Sequence, residues 1–130
     1  MKESLNQWSS SLARLNEALN QSPSQNPLAL DGTIQRFEFS FDLGWKTIKR
    51  FLEFEGIQEK NPREVLAAAF QQGWLNPEGD SFWYGMIEDR SRTSHTYNLT
   101  TAEQVYARIP DYLKAFERVR DFLSSQIAGP

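Results

Sequence analysis

Apolar residues recur at three- and four-residue steps along most of the chain, a spacing that places side chains on one face of an α-helix. The first stretch runs from near residue 2 to residue 20. A second keeps the period over five turns, with its apolar stripe at Ile34, Phe37, Phe41, Gly44, Trp45, Ile48, Phe51 and Leu52. Phe39 and Phe54 lie off this stripe, which indicates a second covered face, against another helix or another subunit.

Proline, glycine and asparagine mark where these helices begin and end. The turn-forming residues 21–27 separate the first two helices, and Gly56 is placed to end the second. A short third helix is predicted to begin at Asn61-Pro62, because Asn caps helices well and Pro is tolerated in the first turn. Gly73 is predicted to end it.

Two further helices follow in the second half of the chain. Asp80 or Ser81 is predicted to cap the fourth, which carries Phe82, Trp83, Met86 and Ile87 and frays near His95. Thr100 or Thr101 is predicted to cap the fifth, with Glu103 completing a capping box. Pro110 lies inside the fifth helix and is expected to kink it or split it in two.

The pattern therefore predicts an all-α fold, because no stretch alternates in the manner of a strand. Amphipathic helices with short connections favour an antiparallel up-and-down four-helix bundle with one short extra helix. Residues 1–130 are expected to form a single domain, since a chain of this length buries roughly two-thirds of its unfolded surface.

Composition excludes several kinds of chemistry. The chain has no cysteine, so disulfides, thiolate zinc sites and cysteine nucleophiles are excluded, and a reducing compartment fits. No apolar run approaches the roughly 20 residues of a membrane span, and no signal-type segment is visible, so we expect a cytoplasmic protein with no membrane contact. The net charge of −3 argues against general coating of nucleic acid, so RNA contact would need a local basic spot or a dimer groove.

The candidate chemistry lies in residues 88–98, a polar stretch that holds the single histidine, His95. Arg90 and Arg92 carry planar forks of donors that match phosphate oxygens, and His95 can exchange a proton near neutral pH. The simpler alternative for His95 is a cation at the negative end of a helix dipole. Arg92 is either a phosphate contact or solvated.

Two further groups of charged residues, one acidic and one basic, each have a functional and a purely structural interpretation. Glu88 and Asp89 either orient Arg90 or form a solvated acidic patch, and they are too few to predict a metal site. Lys46, Lys49 and Arg50 form either a solvated face of the second helix or a basic rim for RNA or nucleotide. No cofactor is predicted.

Three segments together resemble one family. The spacing Arg90-x4-His95-x-Tyr97 is similar to the Arg-x4-His-x-Tyr signature of HepT-like proteins in the HEPN superfamily, also known as nucleotidyltransferase substrate-binding proteins. The wider resemblance covers residues 36–47 (RFEFSFDLGWKT), 61–65 (NPREV) and 88–97 (EDRSRTSHTY).

The resemblance implies a four-helix up-and-down bundle that forms a homodimer and associates with a small nucleotidyltransferase. In the toxin–antitoxin members of this family, the helical subunit is a metal-independent ribonuclease, silenced in some systems by attachment of AMP to the motif tyrosine. Carried over to this chain, the catalytic candidates are Arg90 and His95, and Tyr97 is the modification or nucleotide-binding candidate. Glu88, Asp89, Ser91 and Arg92 are supporting candidates.

Chemistry adds one requirement to this interpretation. RNA brings its own nucleophile, the 2′-hydroxyl, but cleavage needs both a base and an acid. One chain has one histidine, so a two-fold dimer would have to bring two motifs into one groove. Many HEPN nucleases have Asn, Asp or His after the motif arginine where this chain has Ser91. The alternative function is therefore a non-catalytic substrate-binding or regulatory subunit of a nucleotidyltransferase.

Overall fold

The computed structural model describes residues 1–26 and 28–127, and within them the chain forms five α-helices and no strand. This confirms the all-α class. The helices are α1 (Lys2–Leu19), α2 (Leu28–Phe54), α3 (Pro62–Gln71), α4 (Asp80–His95) and α5 (Leu99–Ile127). None of these described helices is long and apolar enough to cross a lipid bilayer.

Helix α2 touches all four of the other helices, and its most extensive packing is against α1. Helix α5 also packs on α1 and α4, and the short α3 contacts α2 and α4. The shared core is rich in aromatic rings. Its largest members include Trp8, Phe37, Met86, Tyr112, Trp83 and Phe116. These side chains come from α1, α2, α4 and α5, so burial of aromatic surface, together with aliphatic side chains of the same core, holds the helices together.

Three of the predicted helix ends are confirmed. The Asn61 side chain accepts a hydrogen bond from the Glu64 backbone N–H at 2.9 Å, and Pro62 occupies the first turn of α3. Gly56 and Gly73 have φ of 84° and 78°, in the left-handed region that favours glycine. At Gly56 the backbone N–H of Ile57 donates to the Leu52 carbonyl at 2.9 Å, which is the glycine-ended stop predicted for α2.

Other predicted helix ends are wrong. Helix α4 already begins at Asp80, its N-cap is Gly79, and no side chain caps it. The side chain that caps α5 belongs to Asn98, whose Oδ1 accepts from the Thr101 N–H at 2.9 Å. Helix α5 also continues through Pro110 as one element, so of the two effects expected there, a kink or a split, the split does not occur.

Helix α1 comes unusually close to α2 at Gly44. A Cβ atom placed there would lie 2.9 Å from atoms of the Trp8 indole, which is closer than packing allows. Trp8 is fully buried at this crossing. Phe39 and Phe54, by contrast, are 57% and 76% exposed, so no other helix among the described residues covers them, and the alternative cover by another subunit stays a prediction.

Candidate functional site

Arg90 lies on the side of α4 that faces α2, where two carboxylates bind its guanidinium. Nε and Nη2 donate to the two oxygens of Asp42 at 3.2 and 3.0 Å, and Nη1 donates to Glu38 at 3.0 Å. Nη1 also donates to the Ser94 hydroxyl at 2.5 Å. The neighbouring Thr93 hydroxyl donates to Glu38 at 2.6 Å, which holds that carboxylate in place.

This network changes what Arg90 can do. A guanidinium has five N–H donors, and four hydrogen bonds to Asp42, Glu38 and Ser94 leave one for an incoming group. The hydrogen bonds to Asp42, followed by the charges of Asp42 and Glu38, raise the pKa of Arg90 above its ordinary value. Arg90 is thus not the open phosphate clamp that the sequence suggested, and it joins α4 to α2.

Asp89, the preceding residue, points to the opposite side of α4, toward α5. It is only 3% exposed and accepts two hydrogen bonds from Arg108, at 2.7 and 2.8 Å, and one from the Tyr112 hydroxyl at 2.6 Å. Arg92 adds a weaker contact at 3.3 Å. Burial opposes ionisation, but these hydrogen bonds and positive charges outweigh it and hold the pKa of Asp89 below its ordinary value.

The structure therefore corrects the expectation that Glu88 and Asp89 orient Arg90 or form a solvated patch. Asp89 is buried and bound to α5, while Glu88 is exposed and is not among the groups that bind Arg90. Arg92 is not fully solvated, because it donates to Asp89 and the Gln104 amide oxygen, and its contact with phosphate stays a prediction. Both acidic partners of Arg90 come from α2, at Glu38 and Asp42.

The sequence alone assigned no role to Glu38, Asp42, Arg108 or Tyr112. For Glu38 and Asp42, the local sequence does contain a signal of a buried or bonded role. They are acidic residues four positions apart, so they share a face of α2, and they stand among aromatic residues where solvated charges are uncommon. No comparable local signal points to Arg108 or Tyr112.

His95 is the last residue of α4, and its side chain is exposed. Its Nδ1 lies 2.9 Å from the Ser91 carbonyl oxygen and 3.4 Å from the Ser91 hydroxyl. A carbonyl oxygen only accepts, so we assign the proton of the neutral ring to Nδ1. Nε2 then carries the lone pair, which makes His95 chemically able to accept a proton there.

Tyr97 follows α4 and is half exposed, at 48%. Its hydroxyl donates to the Asp31 carboxylate in the first turn of α2. Partial burial and this bond to a negatively charged group raise the pKa of Tyr97 to about 12, so the phenol is neutral at physiological pH. Arg90 and Tyr97 therefore both bond acidic residues of α2, and His95 lies between them in the chain.

Comparisons with known proteins give the same family as the motif. Residues 3–125 match the family described as nucleotidyltransferase substrate binding protein like. A curated relative from Haemophilus influenzae, named probable ribonuclease HepT, is 36% identical over 88 residues. That alignment covers 63% of this chain and 58% of the relative, so the chain spans less than two-thirds of the relative's length.

Two solved structures share the fold over nearly their whole length. A protein from Thermus thermophilus has a TM-score of 0.81 and 36% identity, and the match covers 89% of this chain and 98% of that one. A Haemophilus influenzae structure has a TM-score of 0.79 and 26% identity, with 92% and 98% covered. It is described as the fold of a substrate binding domain of a nucleotidyltransferase.

Fold and family match thus define a helical protein of the class named for nucleotidyltransferase substrate binding. Because the family match spans almost the full chain, this chain belongs to the nucleotidyltransferase substrate binding protein like family.

Proposed function

We propose that this chain is the HEPN-type subunit of a two-component nucleotidyltransferase system of the toxin–antitoxin kind, and that it cleaves RNA without a metal ion. The geometry of His95 carries the proposal, because its exposed ring is held by the Ser91 carbonyl and leaves Nε2 as a base. The name of the Haemophilus influenzae relative, a probable ribonuclease, supports the same reaction.

In this reaction the RNA 2′-hydroxyl attacks the adjacent phosphorus, and Nε2 of His95 takes its proton. The bond from phosphorus to the 5′-oxygen breaks, which leaves a 2′,3′-cyclic phosphate on one product. Arg90, held by Glu38 and Asp42, has one N–H left to donate to the charged phosphorane. The leaving 5′-oxygen takes a proton from a second histidine, which a second copy of the chain supplies.

The second copy is part of the proposal because the chain has a single histidine. Large apolar side chains are exposed close in sequence to the Tyr97–Asp31 contact: Leu28, three residues before Asp31, is 74% exposed, and Leu99, two residues after Tyr97, is 66% exposed. A two-fold homodimer that covers them would bring both motifs to one cleft. We also propose that residues 1–130 form one domain, an up-and-down bundle of four helices with α3 as the extra one.

The proposed control point is Tyr97. A partner nucleotidyltransferase would transfer AMP from ATP to its hydroxyl: the phenol oxygen bonds the α-phosphorus, the bond to pyrophosphate breaks, and Asp31 is placed to take the phenol proton. A nucleotide at this position would lie beside Arg90 and His95 and exclude RNA.

Purified, unmodified chain should cut RNA in the presence of EDTA, and His95→Gln should abolish cutting because glutamine cannot accept the proton. Thr100→Ala, an exposed change in the first turn of α5, serves as the matched control and should cut normally. Intact RNA after incubation with a high concentration of wild-type chain, shown by mass to be unmodified, would overturn the ribonuclease proposal.

A second candidate is a non-catalytic subunit that binds the substrate of the nucleotidyltransferase. The observation in its favour is the pairing of Arg90 with two carboxylates, which reduces its attraction for phosphate. In that case the chain co-purifies with its nucleotidyltransferase, and His95→Ala leaves nucleotidyl transfer to other substrates unchanged. A loss of that transfer in His95→Ala would count against this candidate.

A further inference from the structure

A groove runs between α1 and α2, on the side of α2 away from its buried stripe. It is lined mainly by Gln7, Ser10, Arg14, Gln35, Arg36 and Phe39. Phe39 lies at the middle of α2 and is 57% exposed, although a fully buried Phe would stabilise the fold by about 1.5–3 kcal/mol relative to an exposed one. Its flat ring is thus open to a ligand.

The charge of the groove is opposite to that of the whole chain. Two arginines line it, and no Asp or Glu does among the described residues, although the chain as a whole carries −3. Arg36 donates from Nη1 to the Arg14 carbonyl at 2.7 Å, which fixes its guanidinium against α1. Glu17 lies 3.7 Å away but is 75% exposed, so it neutralises Arg36 only weakly.

An aromatic face between arginines is what single-stranded nucleic acid requires. Bases of any sequence stack on an aromatic ring, and arginine binds the phosphates between them. A second copy of the chain fits this groove less well, because a two-fold contact through the same surface would set its two arginines against two more, with no acidic residue among those that line it.

The groove is also close to the candidate active site. Phe39 follows Glu38, which binds Arg90, so the ring and this Arg90-binding carboxylate lie on neighbouring faces of α2, a helix about 10 Å wide. Gln35 and the exposed Lys46 share the outer face of α2 with Phe39, at helical spacing. A strand at the motif could cross this face and reach the ring within a few nucleotides.

We infer that the α1–α2 groove binds single-stranded RNA, with one base stacked on Phe39 and the adjoining phosphates held by Arg14 and Arg36. This inference rests on the proposed function, because it assigns part of the substrate to a surface outside the motif. It predicts that RNA affinity depends on residues that take no part in the cleavage step.

The test measures binding of a fluorescently labelled single-stranded RNA oligonucleotide to the His95→Gln variant, so that the RNA stays intact. Adding Phe39→Ala should weaken binding about 5- to 150-fold, the range for loss of one stacked base. Phe39→Trp should restore it. Phe54→Ala, which removes an even more exposed ring from the far end of α2, should leave affinity unchanged.

The roles of Arg14 and Arg36 are tested separately, by the salt dependence of RNA affinity. Changing Arg14 and Arg36 together to Gln should reduce the slope of log affinity against log salt by about 1.4, the value for two phosphate contacts on a single strand. An unchanged slope would overturn their assignment.

Two outcomes separate this inference from the proposed function. If wild-type chain cuts RNA and Phe39→Ala leaves affinity unchanged, the groove is not the binding surface, although the ribonuclease proposal stands. If Phe39→Ala instead converts a dimer to a monomer in light scattering with no direct loss of affinity, a second copy occupies the groove. If folded wild-type chain neither binds nor cuts RNA, both proposals fall.

Discussion

Two adjacent residues of α4, Asp89 and Arg90, bind this helix to two different neighbouring helices. Asp89 is buried against Arg108 and Tyr112 of α5, and Arg90 is bound by Glu38 and Asp42 of α2. These two anchors fix the rotation of α4 about its own axis. Because His95 is on the same rigid helix, its exposed position follows from bonds made one to two turns earlier.

Tyr97 offers a test of its contact with Asp31 by pH titration. Asp31→Asn removes the negative charge that disfavours the phenolate, so the pKa of Tyr97 should fall from about 12 toward 10, the ordinary value. Ultraviolet absorbance of the phenolate, taken as the difference between each chain and its Tyr97→Phe counterpart, isolates this group from the other tyrosines. An unchanged Tyr97 transition in Asp31→Asn would show that the contact is absent in solution.

The Asp89 cluster makes a prediction about stability. Asp89→Asn keeps the shape but loses the charge that Arg108 and Tyr112 bond, so the free energy of unfolding at pH 7 should fall by about 2–3 kcal/mol. Asp111→Asn, an exposed change in the same cleft, should stay within about 0.5 kcal/mol of wild type. Urea denaturation at fixed protein concentration measures both.

The pH dependence of that difference follows from the sign of the pKa shift. The folded-state pKa of Asp89 is lowered, so its ionised form contributes stability above the unfolded-state value of about 4, and this contribution is lost as pH falls through the folded-state value. The gap between wild type and Asp89→Asn should therefore narrow below about pH 4. A gap that stays constant with pH would contradict the charge argument.

At the scale of the helices, the sequence predicted a helix end correctly where only one residue nearby had the required backbone preference. Gly56 and Gly73 end α2 and α3 because they adopt positive φ, and no neighbour competes for that position. At the start of α5, Thr100 and Thr101 were predicted to cap the helix, but Asn98 nearby is also of a cap-forming type. Local preference does not choose among them, and the structure selects Asn98.

The crossing of α1 and α2 can be tested at two glycines of the same helix. Gly44→Ala should lower the free energy of unfolding by about 1 kcal/mol, because the strain of a Cβ 2.9 Å from the Trp8 ring exceeds the gain in helix propensity. Gly32→Ala meets nothing within 4 Å and should raise it by about 0.5–1 kcal/mol. Equal effects at both positions, from thermal or urea unfolding, would refute the close packing at Gly44.

For the whole molecule, the sequence predicted the apolar faces of the helices better than it predicted how the polar residues are held. Periodicity was enough for the apolar stripes, since it depends on residues a turn apart. The acidic partners of Arg90 and the strongest partners of Asp89 come from other helices, and Glu38 lies 52 positions from Arg90. Which acid meets which arginine depends on the rotation of packed helices, and that rotation is not encoded at any single site.

The proposed homodimer gives the last prediction, because it requires contact between the motif-bearing ends of two chains. Leu99→Asp places a charge on an apolar side chain that is 66% exposed, so the single chain should remain folded while the dimer dissociates. Light scattering should then report a monomer, circular dichroism should be unchanged, and RNA cutting should be lost because the second histidine is removed. Phe54→Asp, at the opposite end of α2, should remain dimeric and active; an active Leu99→Asp monomer would show that one histidine suffices.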